Sequence, residues 1–513
     1  MNGAESLVRT MTAAGVDVCF ANPGTTEMHL VRALDEVGGV RAVLGLFEGV
    51  CSGAADGYAR MAGRPAMALL HLGPGLANGL ANLHNAHRAR TPVFTVVGEH
   101  ATWHRGRDAP LQSDIESFAR PVSKWVRVSA SAGEVAGDAA KAIGAARAAP
   151  GGVATLIVPA DCAWGDAGGP ARPIPGAPPA AVLDDAVEAA AQALSAEGRG
   201  ALLLGATALT EVGIRAAGRV AAATGCLLFA ETFPARMERG GGLPTPQRLP
   251  YFPDEATAAL AQASRLVLAG AREPVAFFGY PGLPSELAPP GMPVATLADP
   301  AHDAADALER LADRLGAGPQ PIPGPPAPSP VPDGPLTPTS VAQVIAAGQP
   351  EGAIVVDEGL TVSAFYVAAS GGAARHTYMA LTGGAIGQGP PSATGAAIAC
   401  PDRPVINLQA DGSGMYTLQA LWTQARERLD VTTLVCSNGH YGILLEELAR
   451  AGVERPGAQS AATTSLRDPA LDWVALAGGM GVPASRATTT TQLARELERA
   501  LAEPGPHLVE MLL

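Results

Sequence analysis

The sequence predicts an α/β protein of three doubly wound, parallel-sheet domains, and three observations lead there. Short apolar runs alternate with small-residue or amphipathic stretches along most of the chain, the order expected where helices join parallel strands and cover both faces of a sheet. At 513 residues the chain is too long for one hydrophobic core. Two proline-rich stretches, 165–179 and 319–338, divide it, and the second, with ten prolines in twenty residues, reads as an extended, semi-rigid linker of polyproline character. The domains drawn on this basis are residues 1–165, 181–316 and 339–513, with 317–338 as the linker.

Composition narrows the function classes. Apolar residues make up 47% and charged residues 16%, so the chain folds and buries a sizeable core. The net charge of −13, from 35 Lys+Arg against 48 Asp+Glu, argues against nucleic acid or an anionic membrane as partner. The six cysteines show no Cys-x-x-Cys pairing and are expected as reduced core residues. The first residues lack a signal-peptide pattern, and no apolar run reaches the roughly 18 residues of a membrane span, so a cytoplasmic protein is expected.

In the first segment, strands are expected at 16–21, 42–47, 66–72, 92–97 and 153–158. The second ends at Glu48, and Gly49 to Arg60 reads as a helix rich in small residues; Glu48 alone could be no more than a helix-start carboxylate favoured by the helix dipole. Upstream, Asn22-Pro23-Gly24-Thr25 reads as a turn, in which the Thr25 hydroxyl either serves chemistry or caps a helix. The stretch from His71 through Gly73-Pro74-Gly75 to Gly79, with Glu99 twenty residues on, imitates a dinucleotide-binding unit. Its glycines run G-x-G-x-x-x-G, one residue too long, which excludes that reading. His71 closes this strand, and histidine is the side chain best suited to proton transfer near neutral pH.

The middle segment repeats the pattern at 201–204, 226–230, 266–268 and 294–297, and adds Phe277, Phe278 and Tyr280, an aromatic group that either walls a site or fills a core. The last segment has strands at 354–356, 378–381, 405–408, 431–435 and 507–513, with a helix expected over 415–428. Two of these strands end in Asp411-Gly412-Ser413 and in Asn438-Gly439-His440. In an open α/β sheet, neighbouring strands deliver such groups side by side at their carboxyl ends. A carboxylate, an amide oxygen and a backbone carbonyl are hard ligands suited to Mg²⁺ that also takes oxygens from a bound phosphate group.

Asn438 stands 27 residues beyond Asp411, and together with the Gly383-Gly384-Ala385-Ile386-Gly387 loop and Glu48 to Arg60 this resembles the thiamine diphosphate (ThDP) enzymes of the acetolactate synthase large subunit and benzoylformate decarboxylase family. Ala410, where the family usually has Gly, and Ser437, in place of the first Asn of a pair, depart from the pattern without touching a ligating group. The resemblance implies the ThDP-binding fold: pyrimidine, middle and diphosphate domains in chain order, acting as a homodimer or dimer of dimers (a homotetramer) with sites between subunits. It implies Asp411, Asn438 and the His440 carbonyl as Mg²⁺ ligands. Gly384, Ile386, Gly412, Ser413, Tyr441, Gly442 and Ile443 would line the cofactor, with Ile386 wedged between its rings. It implies Glu48 as the carboxyl that activates the aminopyrimidine, with His71 and Thr25 facing substrate.

The chain as a whole resembles short, flavin-independent acetolactate synthase homologues, so FAD is not expected. The implied reaction is decarboxylation of a 2-oxo acid to an enamine and its transfer to an acceptor. The alternative, favoured by Thr25, His71 and the Tyr441-Gly442-Ile443-Leu444 sequence, is a benzoylformate-type decarboxylase that releases an aldehyde; a silent regulatory paralogue is disfavoured by the presence of Glu48, Asp411 and Asn438.

Overall fold

The structure is a computed structural model that describes residues 1–328 and 330–513. Its first sheet is formed by β1 (Val18–Asn22), β2 (Arg41–Leu44), β3 (Met67–Leu70), β4 (Val93–Glu99), β5 (Trp125–Val128) and β6 (Val153–Pro159), all parallel, in the order β2-β1-β3-β4-β6-β5. The middle segment supplies β7 (Gly200–Leu204), β8 (Leu227–Ala230), β9 (Met237–Arg239), β10 (Gln247–Arg248), β11 (Arg265–Ala269) and β12 (Val294–Ala298). Five of these form the parallel sheet β10-β8-β7-β11-β12. The last segment supplies β13 (Ala353–Glu358), β14 (His376–Ala380), β15 (Val405–Ala410), β16 (Val431–Ser437), β17 (Ala484–Ala487) and β18 (His507–Leu512), ordered β17-β18-β16-β15-β13-β14. The three doubly wound, parallel-dominant sheets read from the sequence are therefore present.

The differences are local. β9 leaves the middle sheet and pairs antiparallel with β14, closing the edge of the third sheet. A three-residue strand carries too short an alternation to be read from sequence. Of the helix expected over 415–428, only Ala420–Glu427 is helical, and a separate short helix, Asp411–Gly414, precedes it. β2 stops at Leu44, four residues before Glu48, where the chain turns at Gly45; a Cβ there would lie 2.7 Å from the Cys51 sulfur. The Gly73-Pro74-Gly75 stretch is the first turn of an 18-residue helix, Leu72–Ala89, a place where proline's missing N–H costs nothing.

The sheets share cores. One apolar cluster joins Val43, Cys51 and Ala54 of the first segment to Ile354, Met379 and Ala393 of the last. Another joins the middle sheet to the opposite face of the third. The first junction is unusually close, because the helices Glu48–Ala62 and Gly389–Ala399 meet through glycines: a Cβ on Gly57 would lie 2.1 Å from the Ser392 carbonyl oxygen, and one on Gly395 1.9 Å from that of Ala54. Beside this junction Arg60 is held by a buried ion pair to Asp56 of its own helix at 2.7 Å and reaches across to donate to the Ala380 carbonyl and the Thr382 hydroxyl. All six cysteines are free, five of them buried. No helix among the described residues is long and apolar enough to cross a membrane.

Candidate active site

Two constellations form at strand ends. On the first sheet, His71 caps the Leu72–Ala89 helix, and its Nδ1 lies 2.7 Å from Glu27 Oε2 and 3.2 Å from the Thr26 hydroxyl. Glu27 is fully buried and also accepts from the Gly24 N–H at 2.8 Å and from the Thr26 hydroxyl at 2.5 Å. A buried carboxylate is costly without such donors. A hydrogen shared between His71 Nδ1 and Glu27 fixes the orientation of the ring, and Nε2 has no hydrogen-bond partner among the described residues. Space for the pair comes from glycines: a Cβ at Gly98 would lie 1.6 Å from Glu27 Oε1, and one at Gly24 2.4 Å from the His71 ring.

Glu48 is the first residue of its helix, half-buried, and its Oε2 accepts from the Asn78 side chain at 2.9 Å. Gly75 separates it from His71, since a Cβ there would lie 3.3 Å from Glu48 Oε1 and 3.4 Å from His71 Cβ. The structure thus groups Glu48 and His71 on one wall. Thr25 is exposed in the first turn after Gly24, and the N-cap position belongs to Gly24, so the capping role considered for Thr25 does not hold. The hydroxyl that meets His71 is that of Thr26.

On the third sheet, β15 and β16 are adjacent and in register, Ala410 opposite Cys436, so Asp411 and Asn438 emerge together. Asp411 accepts from the Gly412 N–H at 2.8 Å and the Gly439 N–H at 2.7 Å, one on each oxygen. Gly439 adopts φ +71°, a conformation that favours glycine. Asn438 Oδ1 accepts the His440 N–H at 2.8 Å, and the Tyr441 ring packs on Gly412, where a Cβ would lie 2.5 Å from it. Asp411, Gly412, Ser413, Asn438, His440, Tyr441, Gly442 and Ile443 line one small cleft.

The loop carrying Gly384 and Ile386 is clamped from the first segment: Asn85 accepts the Ala385 N–H at 3.2 Å and donates to its carbonyl at 2.8 Å, and His84 Nε2 stands 3.1 Å from the Gly383 carbonyl. Gly384 has φ +74° and a Cβ there would lie 2.6 Å from Phe277. Phe277 belongs to a ring cluster with Phe233, Tyr251 and Phe278 at centroid distances of 5.2–6.2 Å, so it is both packed and part of a wall; Phe278 is 56% exposed. Tyr280 reaches across to Glu447 at 2.8 Å.

The chemistry of the third-sheet cleft suits a divalent cation with a diphosphate. Burial pushes the Asp411 carboxyl up, and the backbone N–H groups of Gly439 and Gly412 pull it back; a cation would offset the same burial. The Ser413 hydroxyl is buried without a partner. No three His, Cys, Asp or Glu side chains converge among the described residues, so further ligands would be amide and carbonyl oxygens and the diphosphate itself.

Sequence reasoning missed Glu27, Thr26, Asn78 and Asn85. Glu27 sits three residues after Gly24 in helix-start spacing, which signals a cap and hides the histidine 44 positions away. Among the described residues no hydrogen bond or ion pair joins Glu48 or His71 to Asp411, Asn438 or Ile386.

Residues 1–118 match the family model of the thiamine pyrophosphate enzyme N-terminal TPP-binding domain, and residues 360–511 that of the C-terminal TPP-binding domain. A Mycobacterium tuberculosis chain named as acetolactate synthase large subunit-like, IlvX, is 52% identical over 100% of this chain and 99% of its own length. Benzoylformate decarboxylase of Pseudomonas aeruginosa is 31% identical over 97% and 96%. Among solved structures, the ThDP-dependent 4-hydroxybenzoylformate decarboxylase of Rhodococcus jostii superposes with a TM-score of 0.87 at 24% identity, covering 100% and 99% of the two chains, which speaks for the fold.

Proposed function

The chain belongs to the thiamine diphosphate-dependent enzymes, in the group of acetolactate synthase large subunits and benzoylformate decarboxylases, and from that premise we propose that it removes CO₂ from a 2-oxo acid and releases an aldehyde. The observation that carries this reading is His71, oriented by a buried Glu27 and placed beside Glu48. When bound, the cofactor supplies a nucleophilic carbon that adds to the 2-oxo group and an electron sink that lets CO₂ leave. The remaining acyl carbon needs a proton, and an imidazole anchored through Nδ1 is suited to take one up at Nε2 and hand it on.

On this reading Asp411, Asn438 and the His440 carbonyl hold Mg²⁺, while Gly412, Ser413, Tyr441, Gly442 and Ile443 surround the diphosphate. The Gly384 carbonyl and Ile386 hold the rings, Glu48 holds and returns a proton at the pyrimidine end, and Thr25 offers its exposed hydroxyl to substrate. Segment 1–165 takes the pyrimidine, 339–513 the diphosphate, and 181–316 the wall, with 317–338 as tether. Glu48 and Asp411 would meet between subunits of a homodimer or dimer of dimers.

A second reading, transfer of the acyl unit to another carbonyl compound, is favoured by the similarity to the acetolactate synthase-like chain and by the exposed apolar face of Phe278. Incubating protein loaded with ThDP and Mg²⁺ with a panel of 2-oxo acids, and measuring CO₂, aldehyde and acyloin, separates them. Aldehyde in stoichiometric match to CO₂ is expected; acyloin as the main product would replace the first reading by the second.

A further inference from the structure

Glu358, the last residue of β13, is fully buried, and no Lys, Arg or His side chain lies within ion-pair distance among the described residues. Its charge is instead spread over four donors. Oε1 accepts the Gly387 N–H at 2.6 Å and the Gln388 N–H at 3.3 Å, and Oε2 accepts the Gly389 N–H at 2.8 Å and the Gln409 side chain at 3.0 Å. Three of these donors are successive peptide groups directly after Ile386. The fourth stands on β15, in register with Glu358 and two residues before Asp411.

The rest of the loop is held from the opposite side. Thr417 donates to the Gly387 carbonyl at 2.8 Å, and Asn85 grips both polar groups of Ala385. Ile386 is therefore presented between two clamped peptide units. Gly389 completes the fit, because a Cβ there would lie 2.1 Å from Gln409 Oε1 and 3.0 Å from Glu358 Oε2. A carboxylate is the one side chain that can accept four such donors at once.

We propose that Glu358 is a positioning residue that fixes Ile386 relative to Asp411, so that one cofactor molecule can meet the ring wedge and the metal ligand together. This rests on the reading of Ile386 and Asp411 given above. Replacing the carboxylate with an amide puts an NH₂ where an oxygen accepts, and whichever way the amide turns, a backbone N–H faces a donor. The loop must then shift while the strand end stays.

Calorimetry with two probes, ThDP and inorganic diphosphate, each with Mg²⁺, tests this on wild-type protein and on Glu358→Gln. Diphosphate engages only the Asp411 end, whereas ThDP also needs the loop. ThDP affinity should fall about tenfold or more, with diphosphate affinity within about twofold. Equal loss of both, or loss of neither, would overturn the proposal. Asp411→Asn serves as the reference for the underlying reading: if it leaves ThDP affinity unchanged, that reading fails, whatever Glu358→Gln does. A measurement that needs no variant is amide hydrogen exchange in the wild-type protein without cofactor, where the Gly387–Gly389 amides should be as protected as those of β15; rapid exchange at those amides would contradict a fixed loop even if Glu358→Gln fails to fold.

Discussion

The carboxyl ends of the first and third sheets are built from the same parts, a strand, a glycine-rich turn and a helix start, but they hold their acids by different means. On the first sheet, Glu27 is bonded to a histidine and a hydroxyl and Glu48 to a side-chain amide, partners that rotate and, in the case of the histidine, can take up and release a proton. On the third, Asp411 and Glu358 are held mainly by backbone N–H groups, which do neither. The difference separates two tasks. A wall that must move protons keeps titratable neighbours, and a cradle that must keep its shape is tied to the backbone.

The comparison breaks most visibly at Glu48. Glu48→Gln should slow hydrogen–deuterium exchange at the reactive carbon of bound ThDP by about a thousandfold while leaving ThDP affinity within a few-fold, because an amide cannot shuttle the proton. Next comes Asp411→Asn, which should weaken ThDP binding by about a hundredfold in the presence of Mg²⁺, read by calorimetry. His71→Ala should lower aldehyde release by roughly ten- to a hundredfold, and Glu27→Gln by about tenfold, both without loss of ThDP affinity; an unchanged rate in either would remove the proton-carrier role.

Smaller effects test the scaffold. Gly57→Ala places a Cβ against the Ser392 carbonyl and should cost about 1–3 kcal/mol of stability by denaturant unfolding. Glu231, at the end of β8 and outside both sites, is pushed up to about 7 by burial, against the pull of Arg90, Arg272 and Arg88. The folded chain then keeps a proton that the unfolded chain, near 4.5, has lost. That contribution to stability is present at low pH and is lost as pH rises through about 7. The melting temperature should accordingly drift down by a few degrees at most across this window, and Glu231→Gln should flatten the drift.

The sequence made the third-sheet site more legible than the first. Asp411 and Asn438 lie at the ends of apolar strands whose adjacency follows from parallel topology alone, and their spacing is local. Ile386 stood out only through the family resemblance of its glycine-rich loop, and its wedge role remains a proposal. Glu27 and Glu358 were not legible, because each takes its meaning from groups brought together by folding, His71 in one case and the Gly387–Gly389 amides in the other. The Gly57–Ser392 and Gly395–Ala54 contacts were equally hidden, since small residues in a helix announce close approach without naming the partner. β9 could not be read as an edge of the third sheet, because its pairing is decided by where the middle segment docks.

The most direct test of the division between the two walls mixes two inactive chains, Glu48→Gln and Asp411→Asn, after subunit exchange. If one chain supplies the proton-moving wall and its partner the holding cradle, half of the randomly reassorted dimers carry one site with both walls intact, and activity should return to about a quarter of the wild-type value. A mixture that stays as inactive as its components would contradict the account and place both walls of each site within one chain.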